Sequence, residues 1–91
     1  MVDKNNQRST DLFRQACHVL PGGVSRNTLL RDSQLLYARE GSGCSVIDVD
    51  GVERIDFANN MASLIHGHAH PKIIDAVSNQ LKLGTAFTMA T

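Results

Sequence analysis

Residues 59–84 read NNMASLIHGHAHPKIIDAVSNQLKLG, an alternating histidine triplet that runs directly into a proline-initiated amphipathic segment. His66, His68 and His70 fall at i, i+2 and i+4, and Pro71 stands where a fixed φ and a missing N–H suit the first turn of a helix. A helix therefore starts at about His70. Ile73, Ile74, Val77 and Leu81 recur on one face at helical spacing, Lys72, Asp75, Asn79 and Lys82 lie mostly opposite, and Gly84 is placed as a C′ residue. Such a helix packs on something through its aliphatic side.

Upstream, three short runs at 35–40, 44–49 and 53–57 read as strands, separated by Gly41-Ser42-Gly43 and by Asp50-Gly51. They form an antiparallel β-meander. Asp-Gly between β-branched runs predicts a hairpin with a two-residue type I′ turn. With a loop of that length, Cys44, Val46, Ile55 and Phe57 share one face, and Ile47 and Val49 the other. Both faces are partly apolar, so something outside the sheet covers one of them.

Residues 1–9 are polar and read as a flexible tail. Ser9, Thr10 and Asp11 then offer N-cap oxygens to a helix carrying Leu12, Phe13, Ala16, Val19 and Leu20, which Pro21-Gly22-Gly23 stops. Residues 24–33 have no periodicity and read as a loop. The stretch 85–91, TAFTMAT, carries no charge and no stop signal, and reads as a chain interrupted within its fold.

The chain has 91 residues, enough for one domain at most, and a domain of this size buries only about 60 to 65% of its unfolded surface. Nine basic side chains balance nine acidic ones, which argues against nucleic acid or an anionic membrane as a partner. Cys17 and Cys44 are isolated thiols without metal or disulfide spacing, and read as small core hydrophobes in a reducing, cytoplasmic compartment. No apolar run approaches the ~18 residues needed to span a bilayer.

Five short words occur in one order across most of the chain: Leu20-Pro21-Gly22-Gly23-Val24, Asp48-Val49-Asp50-Gly51, Ile55-Asp56-Phe57, Gly67-His68-Ala69-His70-Pro71 and Gly84-Thr85. Together they resemble the N-terminal part of class III pyridoxal-phosphate-dependent aminotransferases, on the glutamate-1-semialdehyde 2,1-aminomutase-like branch, over residues 10–91. The resemblance implies a fold type I transferase, α/β overall and several times longer than this chain. The α+β piece seen here, a helix, a three-stranded meander and a second helix, would belong to its small domain. It also implies a homodimer, an amino-acid or amine substrate, and amino-group transfer through Schiff-base chemistry on pyridoxal 5′-phosphate held downstream. Lys4, Lys72 and Lys82 are the only lysines, in a polar tail or on a solvated helix face where the amine stays protonated. No catalytic or cofactor-binding residue is therefore assigned within this chain.

For the substrate pocket, the resemblance points to the segment after the PGGV word, where an aminomutase has a carboxylate-gripping arginine. Leu29 aligns there without gaps, flanked by Arg26 and Arg31, either of which has the planar fork for a carboxylate. The family's Ser-Trp pair is Asn60-Met61 here, which changes the pocket wall and favours a transaminase of related architecture over the aminomutase. Arg26, Asn60, Met61 and Thr85 are the pocket candidates. Gly67, His68, His70, Pro71, Asp50 and Gly51 are read as structural, with His68 and His70 hydrogen-bonding backbone where the chain enters the helix. Two other readings use the same residues. A stand-alone interaction module or gene remnant would bind a partner through the aliphatic helix face. A small zinc protein would use the histidine triplet, although a fourth ligand is unspecified. The DVDG word lacks the later ligands of a calcium loop and reads as a turn.

Overall fold

The computed structural model describes residues 6–26 and 35–90. The readings made for Lys4, Leu29, Arg31 and the greater part of the 24–33 loop lie outside the described residues.

Helix α1 (Gln7–Val19) starts ahead of the expected caps, and Asn6 at its N-cap makes no side-chain capping bond. The cap comes instead from the hairpin, 41 and 42 residues further along the chain. Asp50 Oδ1 accepts the amide of Arg8 (2.8 Å), and its Oδ2 accepts the amide and the hydroxyl of Ser9 (3.1 and 2.8 Å). A carboxylate on the orphan amides of a first turn also faces the positive end of the helix dipole. Ser9, expected as a cap, is buried inside α1, where its hydroxyl accepts the Tyr37 amide at 3.4 Å. Docking is thus polar and long-range. The helix ends as expected, with a 3-10 turn at Pro21–Gly23. Gly23 sits so close that a Cβ there would lie 2.7 Å from both the Phe13 ring and Cys17 Sγ.

Strands β1 (Ala38–Ser42), β2 (Ser45–Asp48) and β3 (Glu53–Ile55) form the expected antiparallel meander in the order β1-β2-β3. Gly41 and Ser42, expected to separate strands, belong to β1, and the first turn is the pair Gly43-Cys44 between the paired residues Ser42 and Ser45. The second loop has three residues, not two. Asp48 donates its amide to the Val52 carbonyl (3.1 Å) and accepts the Gly51 amide on its own carbonyl (3.0 Å), leaving Val49, Asp50 and Gly51 in the loop. Gly51 takes φ +87°, as a bulge after a tight turn requires. The Asp48 side chain, 3% exposed, closes this loop. Its Oδ1 accepts the amides of Asp50 (3.0 Å) and Val52 (2.8 Å), and its Oδ2 pairs with Arg54.

That extra residue slips the register by one and exchanges the faces. Ser45 pairs with Ile55, Val46 with Arg54 and Ile47 with Glu53. Ile55 therefore lies with Ile47, and Val46 lies with Arg54 and Gly41, contrary to the expected grouping of Val46 with Ile55.

Helix α2 (Pro71–Leu83) matches its sequence pattern, with His70 at the N-cap, Pro71 leading the first turn, and Gly84 at the C-cap position with φ 109°. Its aliphatic face is uncovered: Ile73, Ile74, Val77 and Leu81 are 44 to 62% exposed. Among the described residues no hydrophobic side chain is buried, and Cys17 and Cys44 are exposed rather than in a core. The Cα radius of gyration is 16.3 Å, against about 12 Å for a compact chain of this length. Among the described residues the helices and the sheet share no common core. No helix among the described residues is long and apolar enough to cross a membrane.

Candidate functional site

After β3 the backbone enters a single left-handed helical turn, Asn59–Ala62. Asn59, Asn60, Met61 and Ala62 have φ of 50, 48, 59 and 63°. L-residues pay about 1–2 kcal/mol each in this region, and asparagine less than most. Four in a row persist only where the surroundings hold them.

Backbone bonds from Ala62 to Ala58 and from Ser63 to Asn59 (both 3.1 Å) close the turn, and Asp56 caps its entry. Its Oδ1 accepts the amides of Ala58 (3.0 Å) and Asn59 (2.8 Å) at the entry of the turn. Its Oδ2 receives the ring N–H of His68, with Nε2 at 2.7 Å. The Asn59 and His68 hydrogen bonds, with the Ala58 amide, keep the Asp56 carboxyl below its ordinary pKa, so it is ionised and acts only as an acceptor. His68 is fixed in turn by its backbone, which exchanges two hydrogen bonds with Gly43 (3.0 and 2.8 Å). Its ring covers Gly41, where a Cβ would lie 2.7 Å from the imidazole Cγ. Gly67, at φ +76°, passes so near that a Cβ would lie 2.7 Å from the Gly43 carbonyl oxygen.

At the exit of the turn Asn60 Nδ2 donates to Ser63 Oγ (3.0 Å), and Asn60 Oδ1 accepts Arg26 Nη1 (3.0 Å). Two of the four pocket candidates, Arg26 and Asn60, are therefore in direct contact although 34 residues apart. An open depression lined by Leu36, Gly41, Val46, Arg54, Asn60 and His68 runs beside them. Met61 stands 76% exposed on the same turn. Thr85 lies exposed beyond α2, with no hydrogen bond to the pair among the described residues.

Of the residues read as structural, Asp50 and Gly51 form the hairpin loop, and Asp50 has the further role of capping α1. Hydrogen bonds from the Arg8 and Ser9 amides and the Ser9 hydroxyl hold its carboxyl below the ordinary pKa, against burial, which acts the other way. Asp48 is likewise lowered, by the Val52 amide first and then by Arg54, against the cost of burial. His68 uses its ring on a carboxylate rather than on backbone. His70 contributes its carbonyl, which accepts the amides of Ile73 and Ile74 (both 3.0 Å) at the start of α2, while its Nδ1 is buried and has no partner among the described residues. The rings of His66 and His70 lie 5.4 Å apart and tilted at 51° to each other, and the bond to Asp56 is made by His68. No group of three or more His, Cys, Asp or Glu side chains fit to hold a metal occurs among the described residues. Asp56 stands three residues before Asn59-Asn60, and that spacing is the local sign of a capped, left-handed turn.

Lys72 and Lys82 both sit on the exposed surface of α2. Neither offers a desolvated amine for a carbonyl cofactor, so the described residues do not fit the anchoring of pyridoxal phosphate.

The family model described as aminotransferase class-III matches residues 29–91. A glutamate-1-semialdehyde 2,1-aminomutase from Methanothermobacter thermautotrophicus is 44% identical over 84 residues, which is 92% of this chain and 20% of that protein. A solved transaminase with PLP bound superposes with a TM-score of 0.87 at 48% identity, over 94% of this chain and 20% of that one. An omega-transaminase from Sphaerobacter thermophilus superposes with a TM-score of 0.83 at 49% identity, over 91% and 19%. The chain thus spans about a fifth of the length of the relatives it matches.

Proposed function

The chain belongs to the aminotransferase class-III family, and on that premise we propose that it is the N-terminal portion of a pyridoxal-phosphate-dependent transaminase. The observation that carries this reading is the likeness, over nearly all of the chain, to a transaminase with PLP bound. In the complete enzyme the cofactor would supply an electron sink at the substrate Cα, and the catalytic lysine would come from outside these residues. This chain would not catalyse the reaction alone. Residues 10–91 would be its contribution to the aminotransferase fold, and Gln7, Arg8 and Ser9, read from the sequence as part of a flexible tail, belong to α1 instead, with Ser9 buried against Asp50.

Within that enzyme Arg26, Asn60, Met61 and Thr85 would line the substrate pocket. The guanidinium fork of Arg26 would suit a carboxylate, and its hydrogen bond to Asn60 Oδ1 would orient it. The substrate would be a small amino acid or amine, the partners the rest of the chain and a second copy in a homodimer, and the compartment the cytoplasm. Balanced charge gives no support to nucleic acid or membrane binding. Asn60-Met61 in place of the Ser-Trp pair favours transamination over the aminomutase reaction.

The test is to isolate the protein from its source cells, take its intact mass, and assay it with pyridoxal phosphate against a panel of amines and glutamate 1-semialdehyde. A mass several times 9.9 kDa and amino transfer to a keto acid support the proposal. Isomerisation of the semialdehyde alone would move the reading to the aminomutase. A mass near 9.9 kDa would replace it with a stand-alone module that binds a partner through the exposed aliphatic face of α2.

A further inference from the structure

The backbone of His68 already ties the histidine segment to the first hairpin through its paired bonds with Gly43. The imidazole is not needed for that bridge, and its ring N–H is spent on Asp56, whose second oxygen caps the left-handed turn. From the turn, Asn60 reaches Arg26. A continuous chain of polar contacts thus runs from His68 through Asp56 and the strained backbone to the Arg26 guanidinium. We propose that His68 is a positioning residue for the substrate pocket: it orients Asp56, which holds Asn59–Ala62 left-handed, which sets Asn60 against Arg26. The inference rests on the reading of Arg26 and Asn60 as pocket residues.

Three features of the geometry fit this role better than that of a simple staple. The turn stores conformational energy at four successive residues, so it relaxes when its cap weakens. The Asp56 carboxylate divides its two oxygens between the ring and the two amides, so a loss at one side frees the carboxylate to rotate away from the other. Asn60 is bonded on both of its amide atoms, to Arg26 and to Ser63, so its position follows the turn. His68 touches none of the pocket candidates by hydrogen bond among the described residues and acts through Asp56.

The test uses the full-length, cofactor-loaded enzyme and a double-mutant cycle between His68→Ala and Arg26→Ala. His68→Ala is expected to raise KM for a carboxylate-bearing donor about tenfold with kcat within about twofold, because misplacement of a binding group acts on affinity. His68→Gln, which keeps a donor toward Asp56, restores most of it. In the Arg26→Ala background, His68→Ala adds less than about twofold, since both changes act on one interaction. Multiplying effects, unchanged KM, or no rescue by glutamine would overturn the proposal. Should His68→Ala fail to fold, His68→Asn, too short to span the gap, repeats the cycle. Failure of both to fold also overturns it, because the ring would then be indispensable to the fold. Amide exchange at Ala58 and Asn59 gives a readout independent of activity. Faster exchange in His68→Ala supports the clasp even in a protein that transfers no amino group, an outcome that would sink the functional reading alone.

Discussion

The loop after β2 and the turn after β3 are each organised by an aspartate, yet they ask opposite things of the backbone. In the loop, the residue that must adopt positive φ is Gly51, and open space surrounds it. In the turn, the same region is imposed on Asn59, Asn60, Met61 and Ala62, none of which is glycine. The loop's carboxylates face inward to structure: Asp48 closes the loop and Asp50 anchors α1. The turn's carboxylate holds strain, and the turn presents Asn60 and Met61 to the surface. A relaxed loop that joins elements and a strained one that displays side chains are the marks of scaffold and site respectively.

The greatest effect is expected at the anchor of the strained turn. Gly67→Ala places a Cβ 2.7 Å from the Gly43 carbonyl oxygen and forces alanine to φ +76°. Conformation alone costs about 1–3 kcal/mol, and the overlap with backbone adds to it. In thermal melts of the full-length protein this variant should be less stable than Asp50→Ala, Gly51→Ala or Ala62→Gly. A melt within a degree of wild type would show that Gly67 does not pass the Gly43 carbonyl this closely.

Next is the scaffold side. Asp50→Ala removes three acceptor bonds from the first turn of α1 at once. Exchange at the Arg8 and Ser9 amides should rise on the order of tenfold as the helix start frays, while Ala58 and Asn59 keep their protection. Equal loss at both places would mean that the two regions are one cooperative unit, with no division into scaffold and site.

Acid probes both regions together. Asp48, Asp50 and Asp56 all have folded pKa values below the ordinary one. A depressed carboxylate contributes stability that is complete above its unfolded pKa, near 3.9, and is lost as pH falls through the folded value. Protection of the Arg8, Ser9, Ala58 and Asn59 amides, corrected for intrinsic rates, should therefore hold at pH 5 and decline below about pH 4. Protection unchanged down to pH 2 would remove the carboxylates from the account.

How far the sequence reveals these features follows from how local each one is. Pro71 and the spacing of Ile73, Ile74, Val77 and Leu81 act within a few turns, so α2 is legible to within a residue at each end. The hairpin is legible but its length is not, because Asp50-Gly51 serves equally in a two-residue loop and as the end of a three-residue one. What decides is the Asp48 carboxylate on the Asp50 and Val52 amides, and the one-residue error moved Ile55 to the opposite face. The capping of α1 by Asp50 spans more than forty positions and leaves no periodic trace. Arg26 and Asn60 were legible as candidates, but their contact was not. Asn59-Asn60 hinted at left-handed backbone, whereas Met61 and Ala62 run against propensity and are held there by surroundings. The aliphatic face of α2 is exposed and so is Ile55 in the sheet, while Val46 and Ile47 are only half-buried, because nothing within the described residues covers them.

The smallest effects come from exchanging glycine and alanine between the two regions, and these test the contrast most directly. Gly51→Ala meets no neighbour within 4 Å, so its whole cost is conformational, about 1 kcal/mol at φ +87°. Ala62→Gly relieves the same kind of penalty at φ 63° and should stabilise by about 0.5 kcal/mol, the gain being reduced by the extra freedom glycine has when unfolded. The two substitutions thus shift chemical denaturation midpoints in opposite directions. If Ala62→Gly destabilises as much as Gly51→Ala, the turn is not left-handed and the strain argument fails with it. If it stabilises and KM for the amino donor also rises by a small factor, the turn's value lies in rigidity rather than in stability. Glycine would then have removed the strain and, with it, part of the fixed placement of Asn60 against Arg26.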